Sequence, residues 1–210
     1  MMMAVTIRFK PKPFINTQHF YTLLLAVSLL LLTACTTQTS KLGDGNANVD
    51  NLHHWSIKGK FSVQVPGDRT NANLHWQQNR DLFNILLSGP LGQGAVHIVG
   101  DEHQTGLTRG GNTYYARSPR QLLLDQTHWD IPVHQFQYWV KGTPEPEQQA
   151  SNIQMNESGQ IRQFSQSGWN ITLDRYEHIH NYHLPEKIVA THDDIKVTLI
   201  IKEWKLPESP

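Results

Sequence analysis

Few side chains in this sequence are placed to do covalent or metal chemistry. Cys35 is the single cysteine among 210 residues, so it is the one thiol open to modification and there is no disulfide framework. His178, His180 and His183, with His192 nearby, include imidazoles at alternate positions, which on a strand would share a face and could hold zinc. They come without a metal-binding motif or a fixed carboxylate partner, so surface or loop histidines are expected and no metal site is assigned. Gly92-Gln93-Gly94 lacks the strand-to-helix context of a phosphate-cradling turn. There is no Gly-x-Ser-x-Gly to hold a serine nucleophile. Asn170-Ile171-Thr172 is a glycosylation sequon by pattern only. The chain reads as a non-enzyme, a metal-dependent hydrolase being the weakest of the alternatives.

The surroundings of Cys35 say more. Arg8, Lys10 and Lys12 precede any acidic residue, and an apolar run of about ten residues extends from Leu23 to Leu32. A spanning helix needs about 20 such residues; the core of a signal peptide needs fewer. The run ends in Leu32-Thr33-Ala34-Cys35, which resembles the lipobox of bacterial lipoproteins. That resemblance implies cleavage before Cys35, a diacylglyceryl group on its thiol and an acyl chain on the new amino group. This covalent lipid aside, no cofactor is expected. The alternative is an ordinary signal peptide with a chance cysteine. The chain then divides into a signal peptide (1–34), a lipidated N-terminus with a flexible tether rich in Thr, Ser, Asn, Gly and Gln (35–51), and a folded domain (52–210).

Without the first 34 of 210 residues, 176 remain, carrying 15 Lys and Arg against 18 Asp and Glu, about −3 overall. Such a balance favours neither nucleic acid nor an anionic membrane surface. With no disulfide to help, a hydrophobic core must hold the domain. A chain of this length buries roughly 70% of its unfolded surface.

The elements follow from hydrophobic period. Phe61, Val63 and Val65 alternate with polar neighbours, as do Ala72, Leu74 and Trp76; Phe83, Ile85 and Leu87; and Val96 and Ile98. The alternation returns at Trp169, Ile171 and Leu173, then at Ile195, Val197, Leu199 and Ile201. Period two means strands with one dry and one wet face. Breaks at Pro66-Gly67, Asn79-Arg80-Asp81, Gly110-Gly111-Asn112, Ser158-Gly159 and Asp193-Asp194 are spaced as turns between antiparallel neighbours. Two segments change period. Ser118-Pro119 caps a short helix from Arg120 to about Gln126, and Pro132 to Lys141 forms a second, closed by Gly142. Its apolar face is Val133, Phe136, Trp139 and Val140. About nine or ten antiparallel strands thus carry a helical insertion that covers only part of the apolar face. Trp76, Phe83, Phe136, Trp139, Phe164 and Trp169 fall on that face. Large rings in a small curved sheet often leave a ligand cavity; a fully packed core is the other possibility.

Several motifs now occur in a telling order: Gly59-Lys60-Phe61-Ser62-Val63, Leu74-His75-Trp76-Gln77-Gln78, and Phe83 through Ser88-Gly89-Pro90-Leu91-Gly92. Ile131-Pro132, Gln137 through Gly142, Gly168-Trp169-Asn170 and Leu199 through Trp204 follow. Over essentially the whole mature domain the chain resembles the LolB family of outer-membrane lipoprotein receptors, which take lipoproteins from the periplasmic carrier LolA and insert them into the outer membrane. The resemblance implies a mainly β fold, a single unclosed antiparallel β-barrel whose helical insertion covers an apolar cavity. Trp76, Phe83, Phe136, Trp139 and Trp169 would then belong to an acyl-chain cavity. Gly89, Pro90, Leu91 and Gly92 would form the transfer loop, with Leu91 protruding to deliver cargo into the membrane. The implied partners are LolA, acylated lipoprotein cargo and outer-membrane lipid, for a monomer anchored in the outer membrane and facing the periplasm. Thr36, after the lipidated cysteine, is compatible with that sorting. The stretch after Tyr176, from Glu177 to His183, departs from the family pattern. A structural outer-membrane lipoprotein scaffolding a complex through its sheet edge is the alternative.

Overall fold

The computed structural model describes residues 48–207 except Glu102. The signal peptide, Cys35 and most of the tether lie outside the described residues. Eleven strands form one curved antiparallel sheet: β1 (His54–Val65), β2 (Asp68–Asn79), β3 (Leu82–Ser88), β4 (Val96–Gly100), β5 (Thr105–Arg109), β6 (Asn112–Ala116), β7 (Ala150–Met155), β8 (Ile161–Gln166), β9 (Trp169–Ile179), β10 (Tyr182–His192) and β11 (Ile195–Lys205). Their order is β6-β5-β4-β3-β2-β1-β11-β10-β9-β8-β7, so β6 and β7 are unpaired edges and the sheet never closes.

Every neighbouring pair except β1–β11 is consecutive in sequence, because the tight turns leave no room for a crossover. Trp55, Ile57 and Val63 of β1 are buried while Lys58, Lys60 and Gln64, on the opposite phase, are not. Val197, Leu199 and Ile201 of β11 face the same side. The β1–β11 register shifts between Lys58 and Gly59. At that shift a Cβ on Gly59 would collide with the carbonyl oxygen of Ile200, so only glycine lets the two backbones come so close.

The helices lie between the edge strands in sequence. Helix α1 (Pro119–Thr127) begins where the Ser118 hydroxyl accepts from the Gln121 amide, 3.2 Å away. It buries Leu122 and Leu123 and packs on β5, β6 and helix α2 (Val133–Trp139). Helix α2 buries Val133, Phe136 and Trp139, and Val140 follows them into the core. Burying each such side chain contributes about 1.5–3 kcal/mol. Asp44–Pro210 is a compact unit, and the buried apolar side chains from Leu52 to Ile201 form one cluster within it. A unit with its own core can fold alone.

Candidate functional site

The inward phase of β1 to β4 and β11, capped by α2, meets around a small apolar hollow of about 50 Å³. Phe61, Leu74, Trp76, Phe136 and Leu199 are among its walls. A wider cleft of about 450 Å³ shares Phe61, Leu87 and Ile98 with it. Val96, Leu107, Leu123 and Trp129 also line this cleft, together with the polar Asp68, Arg109 and Gln126. A water occupies roughly 30 Å³ of liquid, and a fatty chain of some fifteen methylenes is far larger. The hollow is too small for an acyl chain as it stands, whereas the cleft has room for part of one.

The five expected cavity aromatics separate. Trp76 and Phe136 wall the hollow. Trp139 and Trp169 do not, because Phe136 packs against both, at 4.8 and 6.4 Å between ring centroids. Trp139 is fully buried and donates its indole N–H to Gln166 Oε1 at 2.9 Å. Trp169 stacks on His192 at 5.4 Å. Phe83 is half-buried against the core and outside the hollow's lining. Two lining rings were not anticipated. Phe61 is on the inward phase of β1, as its alternation with polar neighbours indicated, but was not assigned to the cavity. Trp129 lies in the α1–α2 link, where no period exists.

At one end of the cleft the chain leaves the sheet. The expected loop was Gly89 to Gly92, but β4 starts only at Val96, so residues 89–95 form a longer loop. Gly92 and Gly94 adopt positive φ (80° and 59°), which breaks the extended run. The Gly89 amide donates to the Gln93 carbonyl at 2.8 Å and closes a neck. Pro90, Leu91 and Gly92 project beyond it as a single 3-10 turn. Leu91 is 97% exposed, and its φ of 58° is left-handed. For an L-residue that conformation costs roughly 1–2 kcal/mol. A large apolar side chain is thus held outward, in a strained conformation, beside a cleft of mixed apolar and polar lining. Gly89, Gln93 and Gly94 line that cleft themselves.

Ionisable groups elsewhere are structural. Lys141 is buried at 5% exposure, donates to the Leu52 carbonyl at 3.3 Å and lies over the Tyr138 ring. Burial holds its ammonium below the usual lysine range, against the opposing pull of Asp50. Tyr176 donates to the Ile161 carbonyl at 2.6 Å, and burial raises its pKa well above the ordinary phenol value. His178 and His183 pair across the β9–β10 hairpin with rings 4.8 Å apart, while His180 sits in its turn. Among the described residues no three His, Cys, Asp or Glu side chains are grouped to hold a metal.

Residues 53–204 match the family model described as outer membrane lipoprotein LolB. The chain belongs to the LolB family. Outer-membrane lipoprotein LolB of Pseudomonas aeruginosa is 34% identical over 194 residues, covering 87% of this chain and 94% of that protein. The LolB protein of Ectopseudomonas mendocina is 33% identical over 195 residues, 87% and 95% of the two chains. A crystal structure of a LolA superfamily protein from Nitrosomonas europaea superposes with a TM-score of 0.51, covering 76% of this chain and 89% of that one at 8% identity. That likeness shows a shared fold. Within the LolB match lie the hollow, the cleft and the Leu91 loop.

Proposed function

We propose that this protein receives acylated lipoproteins from a periplasmic carrier of the LolA kind and inserts them into the outer membrane, to which its own Cys35 lipid anchors it on the periplasmic side. The observation that carries the reading is the cleft walled in part by Leu87, Ile98, Leu107 and Leu123, which opens beside the exposed Leu91. Each acyl methylene drawn from a bilayer into water costs about 0.8 kcal/mol. Three chains therefore cost on the order of 30 kcal/mol, and cargo cannot cross water unaided. Carrier and receptor must each offer an apolar site, and about 1.4 kcal/mol in the receptor's favour gives tenfold transfer without any other energy source. The small size of the hollow supports a site that widens as chains enter, with α2 and the link bearing Trp129 moving off the sheet. Leu91 then enters the bilayer interface, where burying one leucine is worth roughly 1.5–3 kcal/mol. That is too little to anchor a protein but enough to aim the cleft. No catalytic step is part of this function.

The test is whether purified acylated protein strips a lipoprotein from its carrier complex and passes it to vesicles. Leu91→Glu should accept cargo normally and release it poorly. Failure of the wild type to take cargo from the carrier overturns the reading. A scaffold acting through a sheet edge needs neither cleft nor Leu91, and would leave the carrier complex intact.

A further inference from the structure

On the outer face of the sheet a second groove, of about 370 Å³, begins at Pro90 and runs over β2 and β1. Its floor is largely apolar, with Phe61, Ala72 and Ile200 in the lining; Lys60, Arg69 and Asn73 stand at its walls, and no acidic residue lines it. The antiparallel register explains the cluster: Lys60 lies opposite Asn73, Ser62 opposite Asn71 and Gln64 opposite Arg69. The same Gln64 faces Lys196 on β11, which brings a third cation into that row. Among the described residues neither Lys60 nor Arg69 pairs with a carboxylate. Lys60 donates to the Asn73 carboxamide oxygen. Asn73 in turn donates to the Gly89 carbonyl at 3.2 Å, at the base of the Leu91 loop. Arg69 uses its Nε on Ser62 Oγ at 3.4 Å, which leaves its terminal nitrogens for an incoming anion. Asp68, next in sequence, lines the cleft on the opposite face.

We propose that this groove binds the phosphate of an anionic phospholipid headgroup when Leu91 enters the bilayer. The inference rests on the membrane-facing reading of Leu91. It follows from continuity, since Pro90 both neighbours the inserting leucine and lines the groove, which sets Lys60 and Arg69 near headgroup depth. Amide and hydroxyl donors between the two cations match the several acceptor oxygens of a phosphodiester. The charge of about −3 left once residues 1–34 are removed keeps the whole body from adhering, so attraction is confined to this patch.

Two measurements test it. In the first, residues 44–210, the unit with its own core, are co-sedimented with phosphatidylcholine vesicles and with vesicles containing roughly a third phosphatidylglycerol. The anionic vesicles should bind more tightly, and salt should weaken that advantage. Lys60→Gln with Arg69→Gln should lose on the order of thirtyfold on the anionic vesicles and nothing on the neutral ones; Lys60→Arg with Arg69→Lys should restore binding. In the second, the intact acylated protein should deliver cargo faster into the anionic vesicles, and the double Gln variant should lose that preference. Equal binding to both vesicles, or a double Gln variant that binds anionic vesicles like the wild type, overturns the proposal. Acceptance from the carrier, measured without vesicles, separates the two readings, because the double variant should accept normally. If it fails to accept yet keeps anionic-vesicle binding, the groove docks the carrier instead and the headgroup assignment is wrong.

Discussion

Gln166 and Trp139 meet at 2.9 Å, the indole N–H donating to the carboxamide oxygen inside the core. The same oxygen accepts the Glu145 amide at 3.0 Å, and the nitrogen donates to the carbonyls of Glu145 (2.8 Å) and Gln148 (2.7 Å). Both donors and both lone pairs of one side chain are used. This side chain ties helix α2, strand β8 and the chain after Pro144 together in place of a backbone ladder. Gln166→Leu should therefore destabilise the fold by about 3 kcal/mol or more, since it orphans several buried groups. Trp139→Phe, which removes one donor and leaves the rest satisfied, should cost less. Urea unfolding of both variants checks the order, and equal losses would contradict it.

The strain at Leu91 gives a second expectation. Asparagine tolerates a left-handed backbone better than leucine does. Leu91→Asn should thus melt no lower than the wild type and up to about 2–4 °C higher, while delivering cargo to vesicles more slowly. A lower melting temperature with delivery intact would make Leu91 a structural residue.

Lys141 predicts a pH dependence. Its folded pKa lies below the ordinary lysine value because burial penalises the charge. Between the folded and unfolded pKa values the unfolded chain binds more protons, so this group's contribution to stability rises with pH there. Below the folded value its penalty is fully present, and above the unfolded value, about 10.4, it is gone. The stability of the wild type relative to Lys141→Met should therefore improve as pH is raised toward about 10.4. Tyr176 acts in the opposite direction at alkaline pH, but it is common to both proteins and cancels in the difference. A pH-independent difference between the two unfolding curves would refute the assignment.

Cys35 is expected to be the acylated mature N-terminus, on the lipobox. Mass spectrometry of the membrane-extracted protein should show diacylglyceryl and acyl additions on it, and Cys35→Ser should abolish both. An unmodified Cys35, or a mature end elsewhere, would sink the idea.

Strands with a wet and a dry face were the most legible part of this sequence. Val197, Leu199 and Ile201 point inward as their spacing demanded, and Ser118 caps the helix it was expected to cap. Strand β7 was not legible: its side chains are mostly exposed, its pairing with β8 is irregular, and Asn152 takes a left-handed φ, so no alternation marks it. Depth was also beyond reach. Alternation says which side a ring takes, not whether another ring stands in front of it, so Trp139 and Trp169 read like Trp76 although Phe136 screens them. The doubtful stretch after Tyr176 is a plain hairpin whose turn residue, His180, carries the positive φ that glycine or asparagine more often supplies.

The pairing of β1 with β11 bears on how the molecule comes into being. Ser56 lies opposite Lys205, so the middle of the sheet joins the two ends of the domain. Contacts so distant in sequence are slow to form. Two meanders can assemble early on either side, but the seam between them waits for the last strand to be made. Until β11 arrives, the inner face of β1 has no neighbour on one side, and an incomplete chain cannot settle into the finished shape. A protein whose eleventh strand completes its centre stays open while that strand is still being synthesised or threaded across a membrane, and locks only once it has been released.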